Sequence, residues 1–549
     1  MKPSREMFDE ARALHLERVD AYRRGEIDEA PFRPIRLSYG LYYQLDHTSY
    51  MQRIKLPGGL MTAEQMDVLA EVSDDYGRGI AHATTRQDIQ IHWLPIEQVG
   101  ELYERLERVG VTTRGACADS VRNVTACPYA GVAVDEPFDI TPYVLAIHDY
   151  FLFNPLNLTL PRKFKIAVES CPLDCAQASI NDIGLYARMS AGRPGFSVWV
   201  GGGLGAAPHL ATRVADFVPA DDVLAVCEAI VRLQHRSGER RNRHKARLKF
   251  LARKLGPERL RLMVDEEEAR VLRELGDELR AEVREAVAAY RVPAPADGDD
   301  GGEAAEPGFE EWARTNAVAQ RQAGYFAATV AVPLGDLSGD QLRGLARLSR
   351  ELGNGTARLT NEQNVVLPWI RHSRLPRLHA GLRGLELAEP RASRLTDVVS
   401  CPGLDFCSLA VTRSMGVADR IRRHLEEVEL DAEELGLFRV KISGCPNSCG
   451  QHHIGDIGLT GAMVKGPDGT ERPHYSILVG GGVGEGRTRI GKRLFGRYPE
   501  AEAPRAVVAL ARFYRERRQA GERVGEFLDR VGQDALDEVA RTAVGAPPG

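Results

Sequence analysis

Nine cysteines occur in the 549 residues, and four of them form two close pairs. Cys401 and Cys407 stand in SCPGLDFCSLA with five residues between them, and Cys445 and Cys449 stand in SGCPNSCGQ with three between. Four thiolates in two pairs can cap the four irons of a cubane iron-sulfur cluster. The same donors suit a tetrahedral structural zinc ion, or they can be buried and unligated. The adjacent Pro and Gly residues permit tight turns that let backbone N–H groups face the sulfurs. Nine cysteines are too few for a disulfide scaffold in a chain of this length, which favours metal chemistry or catalysis.

The second pair has an echo. SCPLDCAQASINDIGLYA (170–187) matches GCPNSCGQHHIGDIGLTG (444–461), and Cys127, Cys171 and Cys175 fall at the offsets of Cys401, Cys445 and Cys449. Ala133 takes the position of Cys407. Three ligands of four predict a site without a working cluster, unless Cys117 moves in as a substitute. Cys227, on the apolar side of VLAVCEAIVRL, reads as core.

Where the second half has cysteines, the first has cations. Arg86 of TTRQDIQ aligns with Glu362, Arg122 of SVRNVTAC with Thr396, Lys163 of LPRKFKIAV with Leu437, and Lys165 with Arg439. Strand alternation puts Lys163 and Lys165 on one face, where two ammoniums repel unless an anion lies before them. Singly, each reads as a solvated or ion-paired residue; as a set they suggest an anion site.

The repeat extends to the elements that must position these residues. Segments 54–77 and 330–353 match, as do TTRQDIQIHWLP and TNEQNVVLPWI, and FSVWVGGGLG and YSILVGGGVG. All recur in the same order at an offset near 275, which predicts one duplicated module and two pseudo-symmetric halves. Each half reads as a β-branched run, an amphipathic helix (62–75 and 338–351) and a strand (DIQIHWL and NVVLPWI). Strand, helix and strand with one helical layer give an α/β or α+β class. Residues 210–290 read as mostly helical, and VPAPADGDDGGEAAEPG (292–308) as an exposed linker.

Composition sets the compartment and excludes some partners. A net charge of −5 gives no nucleic-acid footprint. The charged start has no apolar signal core, and no stretch approaches the ~20 apolar residues of a membrane span. The expectation is a cytoplasmic, soluble protein.

CPGLDFC and CPNSC, together with TTRQDIQ, VRNVT and LPRKFK, resemble the sirohaem-containing sulfite and nitrite reductases from about Arg36 to Pro499. The resemblance implies an internally duplicated pseudo-twofold architecture of three α/β domains around a central sirohaem and [4Fe-4S] cluster. It divides the chain into a first ferredoxin-like half-domain with an N-terminal arm (1–130), a first substrate-side domain with a helical extension (131–291), the linker, a second ferredoxin-like half-domain (309–400) and a cluster-binding domain with C-terminal helices (401–549). It also implies that Cys401, Cys407, Cys445 and Cys449 hold the cluster, with Cys449 shared with the sirohaem iron. Arg86, Arg122, Lys163 and Lys165 would bind the anionic substrate, and Gln87, Gln90 and Asn447 would touch sirohaem. No flavin domain is visible, so electrons would come from ferredoxin or a similar carrier, to a monomer. Family sulfite reductases present Lys-x-Lys after Pro-Arg, whereas the ferredoxin nitrite reductases usually show Lys-x-Asn. Lys163 and Lys165 therefore favour sulfite over nitrite. Some family sulfite reductases crosslink a Tyr to a Cys beside the haem; Tyr42 or Tyr43 could supply the Tyr, but the expected Cys position reads as Ser120, so no crosslink is predicted.

Three other features are read as structural. The runs VGGGLGAAPHL and VGGGVGEGRTR fit a nicotinamide fingerprint only loosely and lack its acidic partner. His452 and His453 read as packing residues. The basic segment 235–254 reads as a solvated helix face, or else as a docking patch for an acidic ferredoxin.

Overall fold

Thr62 and Ser338 start the two helices that anchor the duplicated halves, Ala63–Tyr76 and Gly339–Leu352. In each case the cap hydroxyl accepts from the N–H three residues on, and Gln65 or Gln341 reaches back to the cap's own N–H. Donors that a helix start leaves unpaired are thus satisfied twice over. The computed structural model describes residues 3–297, 304–428, 430 and 435–545. The two alternating segments form the strands Ile89–Leu94 and Val365–Arg371.

These elements build two five-stranded antiparallel sheets that exchange a strand. The first runs Leu41–Tyr43, Tyr50–Ile54, Ile89–Leu94, Ile80–Ala83 and then Asp336–Ser338 from the second half. The other runs Ala317–Ala319, Tyr325–Val330, Val365–Arg371, Thr356–Leu359 and then Leu60–Thr62 from the first half. Each borrowed strand pairs an edge that would otherwise expose its backbone groups. The two capped helices pack together, so Met66 and Leu69 share one core with Leu342 and Leu345.

Two mixed sheets carry the cysteines. In the first half Thr125–Ala126, Ile166–Glu169 and Ile183–Ser190 run parallel, followed by antiparallel Arg193–Val200 and Thr212–Pro219. In the second half Val399–Ser400, Val440–Ser443 and Ile457–Lys465 run parallel, followed by antiparallel Glu471–Val479. Cys127, Cys171, Cys401 and Cys445 lie just past the carboxyl ends of parallel strands, the side of such sheets where ligands bind.

The expectation of a mostly helical 210–290 needs correcting at its start. Thr212–Pro219 is an edge strand, and the helices are Val223–Ser237 and Leu248–Ala289, the latter broken at Gly256, whose φ is 74°, before Pro257. Cys227 is fully buried in the core, as expected. Of the expected linker 292–308, residues 298–303 lie outside the described set, and 292–297 carry no regular structure. Among the described residues, no helix is long and apolar enough to cross a membrane.

Candidate active site

The loops expected to carry chemistry meet across the pseudo-twofold. The Thr85 hydroxyl donates to the Cys449 carbonyl (2.7 Å), and the Gln451 amide donates to the Thr85 carbonyl (3.4 Å). The mirror contacts join the other halves of the repeats: Asn361 donates to the Ala176 carbonyl (3.0 Å) and Gln177 to the Glu362 carboxylate (3.1 Å). Each half therefore presses one loop against the other half's cysteine turn.

Arg86 is pinned in that contact. Its guanidinium donates to the Asn181 side chain (3.0 Å) and to the carbonyls of Asn123 (2.6 Å) and Ile166 (3.0 Å), while its buried Nε has no partner. Burial holds the Arg86 pKa down at about 9. Arg122 donates to the carbonyls of Ala116 and Ala118. Phe164, bridged to Val121, points into the core and leaves Lys163 and Lys165 on the opposite side, as alternation requires. Both lysines retain some accessible surface, yet burial pulls Lys163 down to about 8 and Lys165 well below the lysine range. That combination describes a deep hollow that water can reach. The exposed Cys449 thiol lies close enough to counter both effects, and it also acts on Arg53.

The mirror site balances its charges differently. There Glu362 replaces Arg86, and its carboxylate pairs with Lys441 (2.5 Å) and Arg439 (3.6 Å), while exposed Leu437 replaces Lys163. The second half neutralises its own cations. The first half places Arg86 beside Lys163 and Lys165, and no hydrogen bond or ion pair among the described residues holds either ammonium. Two buried acids lie near the group: Asp182, which accepts from the Lys165 N–H (2.9 Å) and pairs with Arg247, and Asp88, whose own pKa is raised by burial to about 6 against the pull of Arg53, Arg86 and Lys55. Desolvated cations with a shortage of counter-charge are a preorganised anion site.

The second-half cysteines sit in turns whose N–H groups face sulfur. Gly444 N–H donates to the Cys401 sulfur (3.2 Å), and the backbone N–H groups of Leu409 and Ala410 near Cys407 and of Asn447 near Cys445 favour the thiolate forms there. Gly450 is required by the approach of the chain: a Cβ there would lie 1.8 Å from the Ile442 carbonyl oxygen. Among the described residues, no three of these four thiols lie within 4.8 Å of one another. A single ion would draw them closer, whereas a cubane sets each on a different iron. Backbone donors around thiolates, and a hollow of unpaired cations with the orphaned Arg86 Nε, fit a cluster beside a ring bearing carboxylates.

Several of the residues singled out in the sequence have protein partners of their own. Gln87 is fully engaged with backbone: its amide donates to the carbonyls of Ala126 (2.9 Å) and Leu359 (2.8 Å) and accepts from Ala126 N–H (2.8 Å), which ties the halves together. With its amide carbonyl turned to Arg53, Gln90 accepts from that guanidinium at 2.7 and 3.3 Å. Asn447 is exposed on the cysteine turn, near Cys445. His452 and His453 are buried, their rings tilted against each other with centroids 4.0 Å apart, which agrees with packing. The first glycine run returns through a Gly203–His209 bridge to another strand and opens no helix, unlike a dinucleotide loop.

The basic segment is not simply a solvated face. Arg247 turns inward to Asp182 (2.6 Å), and buried Lys249 caps the carbonyls of Leu204 (2.8 Å) and Ala207 (2.5 Å). Arg53 and Lys55, absent from the sequence reading, belong to the same charged group; alternation in YMQRIKL was the available signal. Tyr42 lies close enough to the Cys117 thiol for the two to act on each other electrostatically, and that thiol accepts from Arg53 (3.6 Å). The cysteine beside the tyrosine is thus Cys117, three residues before the Ser120 position the sequence suggested.

The family model described as the nitrite and sulphite reductase 4Fe-4S domain matches residues 117–272 and again 391–547. The nitrite/sulfite reductase ferredoxin-like half domain matches 42–109 and 318–385. A sulfite reductase [ferredoxin] of Mycolicibacterium paratuberculosis is 31% identical over 89% of this chain and 80% of its own. A ferredoxin–nitrite reductase of Synechococcus elongatus is 34% identical over 79% of this chain and 80% of its own. The structure of the Mycobacterium tuberculosis NirA protein superposes with a TM-score of 0.79 at 28% identity, covering 94% of this chain and 95% of that one.

Proposed function

Since the chain belongs to the nitrite and sulfite reductase family, we propose that it reduces sulfite to sulfide by six electrons delivered by ferredoxin. It is an oxidoreductase with a [4Fe-4S] cluster and sirohaem. Cys401, Cys407, Cys445 and Cys449 would hold the cluster, and Cys449, the exposed one, would be shared with sirohaem. When bound, these groups supply the redox-active iron and the store of electrons.

The residues of the chain do the rest. Arg86, Arg122, Lys163 and Lys165 bind and orient the oxyanion, and Arg86 is already fixed by three donated hydrogen bonds. Each oxygen that departs as water needs two protons. Lys163, with its pKa drawn by burial to about 8, holds a proton at Nζ near neutral pH and can release it without a large penalty. Asp88, at about 6, and Lys55, at about 8, stand behind as further proton carriers.

The single observation that carries the reading is the pair Lys163 and Lys165 opposite the Cys449 thiol, without counter-ions of their own. Two such cations suit sulfite, which carries up to two negative charges, better than singly charged nitrite. The Tyr42–Cys117 contact adds support, because a Tyr–Cys pair beside the haem is found in some sulfite reductases of the family. The test is kcat/KM for sulfite and for nitrite on one anaerobic preparation with a reduced viologen donor, quantifying sulfide and ammonia. A preference for sulfite is expected; a clear preference for nitrite overturns the substrate while keeping the family.

A further inference from the structure

The first-half cysteines, expected to be vestigial, form the tightest thiol cluster in the molecule. The sulfurs of Cys127, Cys171 and Cys175 all lie within 4.8 Å of one another, and Cys127 and Cys171 are 3.9 Å apart. A zinc–sulfur bond of about 2.3 Å in a tetrahedron sets neighbouring sulfurs about 3.8 Å apart. The Cys127–Cys171 separation matches that spacing, and the third sulfur lies within 4.8 Å of both, unlike the spread of the second-half four. We propose that Cys127, Cys171 and Cys175 bind a single thiophilic divalent ion, zinc, at the pseudo-symmetric counterpart of the cluster site.

The surroundings hold the three sulfurs in place independently of any ion. Buried Glu169 accepts from the N–H groups of Ser170 (2.8 Å), Cys171 (3.0 Å) and Ala176 (2.6 Å), which locks the turn around its two cysteines. Asp174 accepts from Ala178 N–H (2.7 Å), and Cys127 N–H donates to the Val168 carbonyl (3.1 Å). Glu169 and Asp174 are both fully buried, so a dication would offset a concentration of acidic groups. Cys171 and Cys175 are partly accessible beneath exposed Pro172 and Leu173, which gives an ion a way in. Ala133, where the other half has Cys407, removes the ligand a cubane needs. Among the described residues no carboxylate or imidazole completes the group, so water or a small exogenous ligand takes the fourth position. Zinc needs no change of redox state and tolerates such an open position.

The test uses the full chain, purified with its cofactors after growth in zinc-supplemented medium. Zinc, iron and acid-labile sulfide are measured on the same sample, so a failure of the iron-sulfur reading is seen separately. About one zinc per chain is expected, falling below about 0.1 in a Cys171→Ser/Cys175→Ser variant that keeps its iron, and unchanged in Cys227→Ala. X-ray absorption at the zinc edge of the unaltered protein should show three sulfurs at about 2.3 Å, a readout that holds even if the variant fails to fold. Zinc below about 0.1 per chain in the unaltered protein, zinc retained by the double variant, a disulfide among the three cysteines, or extra iron and sulfide in place of zinc would each overturn the proposal.

Discussion

Replacing Lys165 with Asn tests both the electrostatics of the hollow and the choice of substrate. A unit charge about 4 Å from an anion contributes about 4 kcal/mol per unit of anion charge at an effective dielectric of 20. Lys165 reaches its charged form against burial and the repulsion of Arg86, Arg247 and Lys163, so about half of that figure is a fair expectation. The loss is then about 2 kcal/mol for nitrite and about 4 kcal/mol for doubly charged sulfite, or about 30-fold and about 1000-fold in kcat/KM. The ratio of the two specificity constants should move about 30-fold toward nitrite. The same argument predicts the opposite sign for stability: without ligand, the variant loses a repelled, desolvated cation and should resist urea better than the parent. Steady-state kinetics on both anions and a urea titration without substrate would decide it. An unchanged ratio of specificity constants, or a ligand-free variant less stable than the parent, would refute the reasoning.

Three further outcomes follow from the same geometry. Burial lowers the folded-state pKa of Lys163 from 10.5 to about 8, so the unfolded chain binds more protons between those values, and stability should rise with pH across that window; in Lys163→Met, urea titrations should show that part of the rise missing, and an unaltered slope would remove Lys163 as its source. Glu362→Gln leaves fully buried Lys441 without its carboxylate and should destabilise the protein by about 3–5 kcal/mol in denaturant titrations; a change under about 1 kcal/mol would mean that the mirror site is not held by that pair. Cys449→Ser should separate the optical and paramagnetic signatures of cluster and sirohaem and abolish reduction of either anion; full reductase activity would refute that ligand assignment.

Much of the site was legible because the repeat supplied its own control. Comparing Arg86 with Glu362, and Lys163 with Leu437, exposes a reversal and a loss of charge that single residues could not reveal. The amphipathic patterns over 62–75 and 338–351 placed the helices to within a residue, and the structure shows why they start there, with Thr62–Gln65 and Ser338–Gln341 capping boxes. What stayed hidden depended on distant partners. Leu60–Thr62 and Asp336–Ser338 are three-residue strands with no local signal of which sheet they join. Arg247 and Lys249 lie in a run of charges that looks solvated until the chain folds them against Asp182 and the glycine loop. Gln87 seemed suited to a ligand, and only the structure shows its amide joining Ala126 to Leu359. Cys117 reaches Tyr42 through a loop whose path spacing alone does not give.

The exchanged strands set the terms on which the two halves could diverge. Neither ferredoxin-like sheet is complete without three residues from the other half, so the halves behave as an interlocked pair, whatever happens to their side chains. Such an interlock keeps the cysteine turn of one half in register with the cation loop of the other while each drifts toward its own chemistry. It also makes the linker replaceable: chain fission between Asp297 and Glu306 should yield fragments that assemble only when made together, each alone presenting a bare sheet edge to its neighbours.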